Sequence, residues 1–258
     1  MKQPIGIFDA GIGSYAIVER VRQRFPQQDI IYLADRASFP YGAKTAEALL
    51  ASVAKATRYL QQQGCGAVIL ASNAPSVMVL EQLRAAVEIP VVGIFPPLQD
   101  ALCVSASKRI AVLGVASMVA SDAMRRYVEQ SGGDVLLVNA SAMVDLVEDF
   151  SFLKDPETTQ HKVGQFVGAF MRAHSGVDVM TLSSTHLPWL RGFFETAAPH
   201  ITFLDPADSV LEQIASHTSA GAGEVRCLVT ETAALPLSEF NAALAQLGVA
   251  LRGTRVAF

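Results

Sequence analysis

Short, almost wholly apolar runs alternate with longer Ala-rich amphipathic segments along nearly the whole chain, and this rhythm leaves few folds open. Ile5–Phe8, Asp29–Leu33, Ala67–Ala71, Val91–Ile94, Arg109–Leu113, Asp134–Val138, Val177–Leu182 and Val225–Val229 read as strands. Tyr15–Phe25, Thr45–Gln63, Ser76–Ala86, Met118–Ser131, Asp155–Ala173, Leu187–Ala197, Ala207–Thr218 and Pro236–Leu247 read as helices. Strand–helix alternation of this kind predicts parallel sheets with crossover helices. Strands that are apolar on both sides of their pleat predict sheets covered on both faces.

A weak internal repeat divides the pattern in two. Ile5–Gly11 and Ile110–Ala116 are each a strand entering a small-residue turn before a helix, and each is followed by a strand that ends in a serine cluster. Pro96-Pro97 interrupts the alternation, which places a boundary near Gly93–Pro97, and a return crossing is expected near Pro206. The expected architecture is α/β: two pseudo-symmetric, doubly wound parallel-sheet domains with the active-site cleft between them. The first would comprise residues 1–94 plus 207–258, the second residues 95–206.

With 258 residues, 51% hydrophobic and 17% charged, the chain can bury a sizeable core and is too apolar for long disordered regions. A formal net charge of -4 argues against nucleic acid or anionic membranes as main partners. No signal-peptide core follows Met1 and no apolar stretch is long enough to span a bilayer, so a cytoplasmic protein is expected. Three widely spaced cysteines, Cys65, Cys103 and Cys227, fit a reducing compartment without a disulfide framework. His161, His174, His200 and His217 show no ligand spacing, so no metal site is expected.

Ligands of open parallel sheets bind beyond the carboxyl ends of the strands. Asp9, Asp35, Ser72 and Ser184 all fall there. Asp9-Ala10-Gly11-Ile12-Gly13-Ser14 can bring backbone N–H groups to an anion at a helix start, or simply make a tight turn. Ser183-Ser184-Thr185-His186 sets a serine beside a histidine, which invites a hydrolase reading. The Gly-x-Ser-x-Gly elbow is absent, however, and a polar helix cap explains the segment equally well. Asp145–Asp149 reads as the acidic first turn of a helix, and Asp35–Gly42 as a turn-rich loop carrying one acid and one phenol.

In this order, and over nearly the whole chain, these segments resemble the glutamate racemases of the cofactor-independent aspartate/glutamate racemase superfamily. The family's Asp-Ser-Gly-x-Gly-Gly loop corresponds to Asp9–Ser14, its Pro-Tyr-Gly to Pro40-Tyr41-Gly42, and its Cys-Asn-Thr to Ser72-Asn73-Ala74. Its Gly-Cys-Thr-His-Tyr-Pro corresponds to Ser183–Pro188, and its Leu-Val-Glu to Leu146-Val147-Glu148. The resemblance implies that one cysteine removes the substrate Cα proton while the second returns a proton from the other face. Asp9, Glu148 and His186 would assist, with neither PLP nor metal, hence no cofactor. It places Ala10, Asp35, Pro40, Tyr41, Gly42, Asn73, Ala74, Ser121 and Thr185 around a small carboxylic or amino acid, and it implies a homodimer.

Both thiols are serines here, at positions 72 and 184. Three hydroxyls of the family pattern are also gone, replaced by Ala10, Ala74 and Met118. A serine hydroxyl is far too weak an acid to replace a thiolate without a strong adjacent base. Yet Asp9, Asp35, Tyr41, Asn73, Glu148, Thr185 and His186 remain, and polar groups at strand ends are costly to bury without partners. Two-thiol racemisation is therefore expected to be lost or very weak. The first reading is a remodelled acid–base enzyme using Asp9 and His186, with Ser72 and Ser184 as hydrogen-bond donors. A catalytically silent carboxylate-binding or regulatory protein is the second, and a glutamate racemase of residual activity, supplying D-glutamate for peptidoglycan, is the third.

Overall fold

The computed structural model describes residues Met1–Phe258. The chain separates into two compact units, Met1–Ile94 with Ala207–Phe258, and Phe95–Pro206.

The first unit opens with β1 (Ile5–Asp9), α1 (Tyr15–Arg24), β2 (Ile30–Asp35), α2 (Ala46–Gln62), β3 (Ala67–Leu70), α3 (Asn73–Ala86) and β4 (Val91–Gly93). The second unit contains α4 (Leu98–Val104), β5 (Arg109–Gly114), α5 (Ala116–Val119), α6 (Asp122–Ser131), β6 (Asp134–Asn139), α7 (Ser141–Glu148) and α8 (Ser151–Lys154). It continues with α9 (Pro156–Ala173), β7 (Val179–Leu182), α10 (Arg191–Ala197) and β8 (Thr202–Leu204). The chain then completes the first unit with α11 (Ala207–Ile214), β9 (Val225–Thr230), α12 (Leu237–Gln246) and β10 (Gly253–Arg255).

Each unit holds one sheet, and every ladder is parallel, as the alternation predicts. The first runs β10-β9-β2-β1-β3-β4 and the second β6-β5-β7-β8. Every residue of β1, β2 and β3 is buried, the signature of a sheet covered on both faces. In the second sheet β5 and β7 are buried, whereas the edge strand β6 is half-exposed. No helix is long and apolar enough to cross a membrane.

Local chemistry sets the helix ends. Thr45 caps α2 by accepting from Ala48 N, and Asp155 caps α9 by accepting from Thr158 N, with Pro156 at the first helical position. The single helix expected over Met118–Ser131 is two helices. Ser121 turns extended, accepts from Met124 N at 3.0 Å and donates to Met118 O at 2.8 Å, which ends α5 and starts α6. Leu187–Ala197 likewise begins as a 3-10 turn over Leu187–Leu190, which contains Pro188, before α10. Helix α3 starts at Asn73 rather than Ser76; Pro75 sits in its first turn, where a missing N–H costs nothing. The acidic Asp145–Asp149 segment is not the first turn of a helix: α7 begins at Ser141 and Glu148 is its last residue. Leu146 and Val147 are buried there, so packing fixes the segment rather than a favourable helix dipole.

Candidate active site

In the first unit, strand order brings the carboxyl ends of β9, β2, β1 and β3 side by side, and with them Thr230, Asp35, Asp9 and Ser72. Register sets Asp35 opposite Thr230 and Asp9 opposite Ala34. Asp9 and Asp35 are only 4% and 3% exposed. Both oxygens of Asp35 are engaged: Tyr41 OH donates to Oδ2 at 2.9 Å and Thr230 Oγ1 donates to Oδ1 at 2.9 Å. Thr230 in turn accepts from Ala37 N at 2.9 Å. Burial first, then the neighbouring Asp35 and Asp9 carboxylates, pushes the Tyr41 phenol well above its ordinary range, so it remains a donor. These bonds shape the loop in which Pro40 and Gly42 stand exposed.

The loop after β1 is closed by its own groups. Ser14 Oγ donates to Gly11 O at 2.9 Å and meets Tyr32 OH at 2.9 Å, while Arg36 Nη1 donates to Ala10 O at 2.9 Å. Ser72 stands at the N-cap of α3, but its carbonyl is the group held, by Ser76 Oγ at 2.7 Å. Ser76 also accepts from Ile94 N at 2.9 Å. Beside Ser72, Asn73 Nδ2 donates to Ile94 O at 3.4 Å, whereas Asn73 Oδ1 is buried without a partner. An orphaned buried acceptor is costly unless a ligand supplies a donor. Ala10 and Ala74 are buried and offer no polar group.

The second unit gathers a tighter constellation. Beyond β7 the chain turns through Ser183, Ser184, Thr185 and His186, all buried, into the 3-10 turn. His186 Nε2 meets Glu148 Oε1 at 2.6 Å, and His186 Nδ1 lies 3.4 Å from Ser184 Oγ. A carboxylate can only accept, so an ionised Glu148 requires the imidazole proton on Nε2. With that tautomer, the Nδ1 lone pair faces the Ser184 hydroxyl. Ser183 is excluded from this chain: its Oγ pairs with Thr181 Oγ1 at 2.7 Å and its N–H donates to Leu113 O at 2.9 Å. Ser121 caps a helix with both its donor and its acceptor, and Met118 is fully buried over Gly114.

Ser76 and Thr230 join these networks without belonging to any motif in the sequence. Thr230 had a visible signal, a hydroxyl closing an apolar strand; Ser76, inside a helix, had none. None of the three cysteines lies at the carboxyl end of a strand. Burial pushes Cys65 and Cys227 up to about 12, and Cys103 is exposed on α4.

The Asp/Glu/Hydantoin racemase family matches residues 15–214. The chain belongs to that family. Its relatives include a glutamate racemase of Herpetosiphon aurantiacus, 30% identical over 214 residues that make up 82% of this chain and 83% of the relative. Another, from Ralstonia nicotianae, is 29% identical over 98% of this chain and 92% of the relative. The solved glutamate racemase of Thermus thermophilus, in complex with β-chloro-D-alanine, superposes with a TM-score of 0.83 at 25% identity, covering 100% of this chain and 98% of that one. Ser72, Ser184, Glu148 and His186 all lie inside the span matched by the racemase family, whereas Asp9 precedes it.

Proposed function

We propose that this racemase-family member is a cofactor-independent acid–base enzyme acting at the carbon beside the carboxylate of a small carboxylic or amino acid. The observation that carries the reading is the hydrogen-bonded chain Glu148–His186–Ser184. A thiol can act as its own base near neutral pH; a hydroxyl cannot, and here the base is the imidazole held beside it. His186 accepts or returns the proton, Glu148 stabilises the charge on the ring, and the Ser184 hydroxyl donates to the oxygen on which enolate charge develops. Taken by itself, the first unit offers a buried carboxylate at Asp9 and a buried amide oxygen at Asn73 beyond its own strand ends. Because hydroxyls assist while imidazole does the proton transfer, the reading favours acids more readily ionised at carbon than glutamate, such as keto or dicarboxylic acids.

Proton NMR in D₂O tests it by following deuterium into L-glutamate, L-aspartate and a panel of small keto and dicarboxylic acids. Exchange into a keto or dicarboxylic acid that falls at least about a hundredfold in His186→Ala is the expected result. Exchange that survives undiminished in that variant contradicts the assignment. Ligand-dependent thermal stabilisation without exchange into any acid favours the silent-binder reading, for which the unpartnered Asn73 oxygen is the supporting observation.

A further inference from the structure

The Ser184–His186–Glu148 chain carries a second chemistry, independent of proton transfer at carbon. A hydroxyl within reach of an imidazole nitrogen, with the ring's other nitrogen held by a carboxylate, is the arrangement that makes a serine nucleophilic. Here Glu148 engages Nε2 and leaves Nδ1 to the hydroxyl, so the ring is used in the opposite sense from the serine proteases. The roles are the same: orienting carboxylate, base, nucleophile. The 3.4 Å contact is at the long end of a hydrogen bond, as such contacts often are before substrate tightens them. Ser184 and His186 are each 6% exposed, which limits competition from water for their contact. Position also favours Ser184, which lies where an apolar strand gives way to a turn, beyond the carboxyl edge of a parallel sheet.

We propose that Ser184 is an acylatable nucleophile and that the second unit hydrolyses small activated carboxylic esters. Ser184 Oγ bonds to the ester carbonyl carbon as its proton passes to His186 Nδ1. The bond to the leaving oxygen then breaks, and that oxygen takes the proton from Nδ1 and departs as the alcohol. Water next attacks the acyl carbon and gives a proton to Nδ1. The acyl–Oγ bond breaks, the proton returns to Oγ, and the carboxylic acid leaves. Ester and water become acid and alcohol, with no change of oxidation state. Glu148 is a positioning residue: it fixes the tautomer and offsets the charge that arises on the ring.

The test uses the full chain with p-nitrophenyl acetate. Nitrophenolate release is followed from pH 5 to 9, and peptide mass spectrometry locates the acetyl group. The expected result is an initial burst with acetyl on Ser184, both lost in Ser184→Ala. Release should be slowed at least about a hundredfold in His186→Ala and in Glu148→Gln, with an altered pH profile in Glu148→Gln. Ser175→Ala, an exposed loop serine, should match the parent. Ser184→Cys keeps a nucleophile of similar size and should still be acylated, so the proposal stays testable if the alanine variant misfolds. Acetyl found only on lysines or on His186, an absent burst, or equal acylation of Ser184 in His186→Ala would each overturn it. Deuterium exchange reads a C–H bond in acids that have no leaving group, so this proposal and the proton-transfer reading can fail separately.

Discussion

At the scale of single residues, a few buried side chains define the strand ends, and most of their polar atoms are committed to one another. Asp35 is the clearest case. It resembles a substrate ligand in sequence, yet each of its oxygens accepts a hydrogen bond from a fixed partner, Tyr41 or Thr230. Removing one donor leaves a buried carboxylate oxygen short of a partner, at a cost of about 1–3 kcal/mol. Tyr41→Phe is therefore expected to lower stability by that amount in urea unfolding. Because the phenol is held well above its ordinary range, the loss should stay constant between pH 6 and 9. A loss that shrinks across that interval would show that Tyr41 ionises there. Asn73 is the opposite case, since its buried Oδ1 has no hydrogen-bond partner.

Elements place these residues, and their legibility in sequence was uneven. Strands buried on both faces carry continuous apolar runs, so β1 to β3, β5 and β7 were readable with ends shifted by a residue or two. The three-residue edge strand β10, Gly253-Thr254-Arg255, has no apolar run, and its pairing to β9 depends on tertiary contact. Helices α4 and α7 are short, so the sequence hints at a helix around Cys103 and at Asp145–Asp149 without giving the bounds of either. Glu148 therefore closes a helix that its acidic neighbours in sequence suggest it opens. Asp178, just before β7, shows how an element junction is locked. It accepts from Ser105 Oγ at 2.5 Å, Ser107 Oγ at 2.9 Å, Ala106 N at 2.8 Å and Ser107 N at 2.9 Å, tying the α4–β5 turn to the start of β7.

Burial of Asp178 opposes its ionised form, but those four donors outweigh burial and hold its carboxyl at about 2. The unfolded value is about 3.9, so the folded pKa is depressed. The stabilisation is fully present above about pH 4 and is lost as pH falls through about 2. Discounted for partial solvent exposure, it amounts to about 1–2 kcal/mol. Asp178→Asn should be less stable than the parent by that margin at pH 7 in urea, with the gap closing near pH 2. A gap that persists undiminished at pH 2 would mean that the clamp does not depend on charge.

On the scale of the whole molecule, the alternation of runs announced two all-parallel α/β sheets before any family resemblance entered, because backbone pairing and burial leave periodic traces. The Glu148–His186 pair leaves none. Its members are 38 residues apart, separated by α8, α9 and β7, and nothing in their local sequence points one at the other. Only the resemblance to the racemases singles out Glu148, and only the folded second unit shows which ring nitrogen it meets. The chain thus keeps the family scaffold while its strand-end hydroxyls stand where the resemblance implies thiols, and the account of its chemistry rests on the imidazole between Glu148 and Ser184. The most direct test is nitrogen-15 NMR of the His186 ring in the full-length protein at neutral pH. The account predicts a proton on Nε2, shared with Glu148, and an unprotonated Nδ1 facing Ser184. A ring that carries its proton on Nδ1 with Nε2 bare would contradict it, because neither proton transfer nor acyl transfer could then start from that nitrogen.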